Sequence, residues 1–205
     1  LNEWDITSVG IMSNLFDNAG LSTDNYDGVL NSWSQQDVKE NVTLGAVGLT
    51  YFSGEDARGS LIDTDGWIIS GDVKGFKPIT DANLQQAINT CLTTNPVDGM
   101  CSDSEYGAMP DWDISAVTIM SEAFKNKPDF NGDISNWNVG SVTDMSAVFY
   151  DALAFNQDIS DWDVSSVTNM DSMFSVAILF NQNLNSWDVS QVTNMSYMFE
   201  SAISF

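Results

Sequence analysis

The chain has 205 residues, 43% of them hydrophobic and 11% aromatic, enough for one large or two small cores and too apolar for a disordered chain. Its 29 acids against 6 bases give a net charge of −23, which excludes nucleic acid, whose binding needs Lys and Arg to displace condensed counterions. Histidine is absent, which removes Ser-His-Asp and Cys-His catalysis, and no run reaches the roughly 18 apolar residues of a membrane span, so neither an enzyme nor direct membrane insertion is expected.

In chain order, Leu1 opens in mid-pattern, and Trp4, Met12 and Phe16 keep offsets that recur later. Residues 1–33 therefore read as the terminal repeats of a preceding array, with NYDGVLNSW (Asn25–Trp33) as a further repeat after an insertion. Residues 34–72 break the pattern. NVTLGAVGLTYF alternates like a strand, Ser53-Gly54-Glu55-Asp56 opens a short acidic helix towards Leu61 and Ile62, and Trp67-Ile68-Ile69 reads as a last strand. Stacked repeats must close their open face with an atypical unit, so 34–72 is predicted to be a C-terminal cap and 73–79 a linker.

Residues 80–111 read as an N-terminal cap. In it TDANLQQAINTCL places Leu84, Ala87, Ile88 and Cys91 on one side of a helix. Cys91 and Cys101 share one short segment and are expected to form a disulfide, which suits an oxidising compartment. A metal site is the alternative, a poor one for two thiols without histidine.

Residues 112–205 are four repeats, the last incomplete. Trp112, Trp137, Trp162 and Trp187 stand 25 residues apart. Met120, Met145, Met170 and Met195 follow each Trp by eight residues, and Phe124, Phe149, Phe174 and Phe199 by twelve. Phe130, Phe155, Phe180 and Phe205 follow by eighteen. Each unit divides into a short β-prone stretch (ISDWDVS) and a short helix, opened at Thr168 and showing Met170, Phe174 and Ala177 on one face. One such unit cannot bury its apolar edge and a stack can, so the expected fold is an α/β solenoid with a strand and a helix per repeat and atypical caps. The Trp, Met and Phe positions are its core columns.

Two polar columns share this register. Asn131, Asn156 and Asn181 are expected to bond backbone groups of adjacent turns. Asp5, Asp113, Asn138, Asp163 and Asp188 each follow a Trp. Carboxylates stacked about 5 Å apart repel unless solvated, capping donors or bound to a cation, so calcium is the one cofactor left open, at a site without the EF-hand spacing. Sequons stand at Asn41-Val42-Thr43 and Asn194-Met195-Ser196. Asn41, in the cap, is the better glycosylation acceptor.

FNQDISDWDVSSVTNMDSMF (Phe155–Phe174) and FNQNLNSWDVSQVTNMSYMF (Phe180–Phe199) resemble the repeat of BspA-like leucine-rich repeat surface proteins. The 21–72 region is similar to the C-terminal unit of such proteins, and FKPITDANLQQAINTCLTTNPVDGMCSDSEYGAMPDWD to an N-terminal unit of large microbial surface proteins. Gly10 departs from the usual Thr, and Asn138-Val139-Gly140 from Asp-Val-Ser. The resemblance implies secretion, display at the cell surface and a structural or adhesive role, with no catalytic residues to carry over. The expected function is thus a segment of a large extracellular protein, a tandem-domain fibre, appendage or adhesin. The alternative is a module that recognises a glycan or protein on one solenoid face. Expected partners are copies of itself, adjoining tandem domains, or such a surface glycan or protein. The register at the two ends further suggests that 1–205 is close to one period of a longer array.

Overall fold

The computed structural model describes residues 1–205 and divides into two units, Leu1–Lys77 and Pro78–Phe205, each with its own apolar core. The division falls within the 73–79 segment.

The first unit starts with a repeat-like rung at residues 4–19, followed by helix α1 (Thr23–Trp33). The Asn25–Trp33 stretch is therefore a helix and not a further repeat. Ser22 caps it, its hydroxyl accepting from the Asn25 amide at 3.3 Å, and Tyr26, Val29, Leu30 and Trp33 fill the core from one face. Strands β1 (Thr43–Gly45) and β2 (Thr50–Tyr51), helix α2 (Glu55–Asp63) and strands β3 (Ile68–Ser70) and β4 (Val73–Lys74) follow. Pairing is parallel throughout: Met12 bridges Leu44, β1 pairs with β3, and β2 with β4. The non-repeating cap thus continues the ladder begun by the first rung.

Two buried polar clusters join the elements of this unit. The Asp27 carboxylate on α1 accepts from the Phe52 and Ser53 amides (2.9 and 2.8 Å) and from the Ser53 hydroxyl (2.9 Å), just ahead of α2. Gly54, the residue at the start of α2, has no side chain to do this. Asp72 takes a two-pronged bond from Arg58 (Nε 2.7 Å, Nη2 2.8 Å) and a third from the Tyr26 hydroxyl at 3.0 Å. Burial, with Asp72 alongside, pushes the Tyr26 phenol up, and the Asp72 hydrogen bond raises Arg58 further.

In the second unit, helix α3 (Leu84–Thr94) buries Leu84, Ala87, Ile88, Cys91 and Leu92, and Cys91 is joined to Cys101 by a disulfide with Cα atoms 5.3 Å apart. After a short 3-10 turn at Met109–Asp111, residues 112–205 carry neither regular helix nor extended strand. Only single parallel bridges connect Ile119, Asp144, Asn169 and Asn194. The helix expected from Thr168 does not form. Ser172 and Val176 sit in left-handed conformation (φ 56° and 60°), as do Ala147 and Asp151 one unit earlier, and a left-handed residue ends any α-helix. The amides of Met170, Ser172, Phe174 and Val176 instead donate to the carbonyls of Asn194, Ser196, Met198 and Glu200 in the next unit. ISDWDVS is likewise a series of turns rather than a strand.

Candidate functional site

No concave site dominates the molecule, and the feature that recurs is the lattice of contacts between 25-residue units. At its centre two phenylalanine columns run side by side. Phe124, Phe149, Phe174 and Phe199 stack at 5.5–5.6 Å between centroids, and Phe130, Phe155, Phe180 and Phe205 at 5.8–6.0 Å. Within a unit the two rings approach to 3.8–4.2 Å. The tryptophans flank them, each indole N–H satisfied inside. Trp137, Trp162 and Trp187 donate at 2.9–3.1 Å to the carbonyls of Met109, Ile134 and Ile159, 28 residues back.

The predicted core positions Trp112, Met120, Phe124, Phe130, Trp137, Met145, Phe149, Phe155, Trp162, Met170, Phe174, Phe180 and Trp187 are buried, as are Met12 and Phe16 in the first unit. Four depart from expectation. Trp4 is 52%, Met195 42% and Phe205 53% exposed, and Phe199 is only partly buried, because each lies in a rung with a neighbour on one side only.

The asparagine column forms a hydrogen-bonded ladder on the surface. Asn131 Oδ1 accepts from the Asn156 amide and Asn156 Oδ1 from the Asn181 amide, both at 2.9 Å. Gln157 and Gln182, which the sequence reading passed over, donate to the carbonyls of Asn131 and Asn156 at 2.8 and 2.9 Å. A threonine column was also missed. Thr143, Thr168 and Thr193 each donate backbone N–H and hydroxyl to the threonine carbonyl one unit back. Its 25-residue recurrence in the sequence was the available signal. Thr118, with helix α3 and no further repeat unit before it, turns to Asp81, whose carboxylate accepts from its amide and hydroxyl at 2.7 Å and from the Ile119 amide at 3.0 Å. The cap thus replaces a missing carbonyl with a carboxylate.

The residues that follow each Trp form local caps. Asp5, Asp113, Asn138, Asp163 and Asp188 each accept, through one oxygen, the amide two residues on, at 2.9–3.2 Å. Asp133, Asp158 and Asn183 repeat this at a second position, and Asp144, Asn169 and Asn194 at a third. The side-chain and backbone bonds from Thr7, Ser115, Ser135 and Ser165 hold Asp5, Asp113, Asp133 and Asp163 below the usual carboxylate range. For Asp158 and Asp188 the backbone bond leads. No three Asp, Glu, Cys or His side chains converge as a metal-binding group. Asn41 is exposed, in a left-handed turn (φ 58°), with its amide bonded to the Asp65 carbonyl.

The model of one protein family, described as "Mycoplasma protein of unknown function, DUF285", matches residues 1–44 and 96–205, roughly three-quarters of the sequence. The chain belongs to the DUF285 family. The two DUF285 segments carry the Trp-Met-Phe rungs, and the stretch between them holds most of the non-repeating elements, from β2 to α3. Comparison with curated proteins and with solved structures returned no match.

Proposed function

We propose that this DUF285 chain is a structural or adhesive segment of a large secreted cell-surface protein, its repeats wound as a solenoid of the BspA-like kind. The observation that carries this reading is the use of side chains. Almost every large ring and the recurring asparagine, glutamine and threonine columns in residues 112–205 serve contact between one unit and the next, while the recurring Asp and Asn caps satisfy amides within each unit. A chain so spent on propagating its own lattice supports a load-bearing or display role. The Cys91–Cys101 disulfide fits an oxidising, extracellular setting.

Negative-stain electron microscopy of the native material, combined with surface labelling of intact cells by an antibody to this chain, tests the proposal. Surface label on regular fibres is the expected result. Label confined to the cell interior overturns it. Surface label on dispersed particles favours a recognition module instead, and a glycan array then becomes the decisive assay.

A further inference from the structure

We propose that the hollow between helix α3 and the loop at residues 100–104 binds a neutral sugar, with Thr90, Asn95, Ser102 and Asp103 as its polar anchors. This rests on the adhesive form of the reading above, and gives it a ligand class and a place on the chain.

The segment stands apart by its charge. The chain carries 29 acids, yet α3, LQQAINTCLTT, has no charged residue. Its core-facing side is supplied by Leu84, Ala87, Ile88, Cys91 and Leu92. The exposed side consists of Gln85, Gln86, Asn89, Thr90, Thr93 and Thr94, all amides and hydroxyls. Amides and hydroxyls donate and accept hydrogen bonds without selecting for an ion, which suits a ligand made of hydroxyl groups.

Beside the C-terminal half of α3 lies a hollow of about 470 Å³, inside the range of about 300–1,000 Å³ of small-ligand sites. Its polar groups divide by what they bond. The Thr94 hydroxyl donates to the Cys91 carbonyl at 3.1 Å and the Ser104 hydroxyl to the Gly107 carbonyl at 3.0 Å, so both are spent on the wall. The side chains of Thr90, Asn95, Ser102 and Asp103 line the same space and make no hydrogen bond within the protein. Met100, 55% exposed, adds an apolar surface for the C–H face of a sugar ring. The Cys91–Cys101 disulfide ties this loop to α3. The two sides of the hollow are therefore set before a ligand arrives, which lowers the cost of binding.

Charge narrows the class. Asp103 is the one charged residue lining the hollow, and no Lys or Arg accompanies it. An acidic sugar would meet that carboxylate and a net −23. A neutral sugar offers two adjacent hydroxyl donors, and a carboxylate accepts both. The neighbouring hollow, of about 360 Å³, differs: its Lys127 is already bonded to Asn89 at 2.8 Å, and Pro96 and Pro128 are part of its wall.

The 205-residue chain, applied to an array of neutral and sialylated glycans, is expected to be retained on neutral ones. In calorimetric titrations with a retained glycan, Asp103→Asn and Thr90→Val should each weaken binding at least about tenfold. Asp129→Asn, in the neighbouring hollow, should leave it unchanged. All three positions are exposed, so melting curves should match that of the unsubstituted chain and separate lost binding from lost folding. Retention on no glycan, preference for sialylated ones, undiminished binding by Asp103→Asn, or an equal loss from Asp129→Asn overturns the proposal. Fibres labelled at the cell surface with no glycan bound would overturn it and leave the structural reading standing. Label inside the cell with neutral-glycan binding intact would overturn the surface assignment alone.

Discussion

Phe149 lies at the middle of the aromatic lattice, and removing its ring is the severest single test of the stack. The side chain is fully buried, with Phe155 at 3.8 Å, Phe174 at 5.5 Å, Phe124 at 5.6 Å and Trp162 at 6.2 Å between centroids. Truncation to Ala forfeits transfer energy and leaves a cavity, about 3–5 kcal/mol for a buried Phe. Stacked rings on both faces put this site at the upper end, since each aromatic pair adds about 0.5–1.5 kcal/mol. Phe199 occupies the same column but has ring neighbours only at Phe174 and Phe205 and is partly buried. Phe199→Ala should therefore cost about half as much, ~2 kcal/mol, and loosen its own rung rather than the whole unit. Urea unfolding of the dilute 205-residue chain, with amide hydrogen exchange to locate the loosened rung, measures both. Equal losses for the two variants, or less than about 2 kcal/mol for Phe149→Ala, would refute cumulative stacking as the source of stability.

Val176 is a β-branched residue held at φ 60°, and Asn126 shows which residue suits that position. Val176→Asn should raise stability by about 1 kcal/mol, visible as a higher melting temperature, and an unchanged or lower one counts against backbone strain there. Asp27→Ala strands the Phe52 and Ser53 amides and should destabilise the first unit by about 2–4 kcal/mol, with Asp27→Asn intermediate; circular-dichroism melts decide it. Asp5, Asp81, Asp113, Asp133, Asp158, Asp163 and Asp188 have carboxyl groups lowered in the folded chain. Their contribution is complete above the unfolded value of about 3.9 and is lost as pH falls through the lower folded values. Melting temperature should thus fall on acidification below about pH 4, and less steeply after Asp113→Asn, Asp163→Asn and Asp188→Asn together; identical acid profiles would mean that the caps carry no such linkage.

Much of this lattice was legible because contact between identical units forces identical residues to recur. A buried ring at Phe149 requires one at Phe124 and another at Phe174, so the spacing of large apolar residues reveals the columns. Secondary structure was less legible. Met170, Phe174 and Ala177 at i, i+4 and i+7 satisfy a helix, but they equally satisfy a turning path whose amides point into the next unit, and all three are buried either way. What separates the two is the left-handed pair in each unit. Asn14, Asn18, Asn126 and Asp151 are residues that tolerate that conformation, whereas Ala147, Ser172 and Val176 conceal it. The mixture diluted the sequence signal. Asn25–Trp33 misled for a different reason, since Tyr26, Leu30 and Trp33 fit both a helical face and a degenerate repeat. Trp4 keeps the spacing of a core tryptophan, and its exposure depends on whether a neighbouring rung covers it.

Some of the acidic side chains serve the same lattice. Each turn leaves backbone N–H groups that no helix or strand satisfies, and a side-chain oxygen two residues earlier is the local remedy. Asn stands in for Asp in each of the three capping rows, at Asn138, at Asn183, and at Asn169 and Asn194, with the same bond made. The fold therefore requires the oxygen at these positions, while the negative charge is additional.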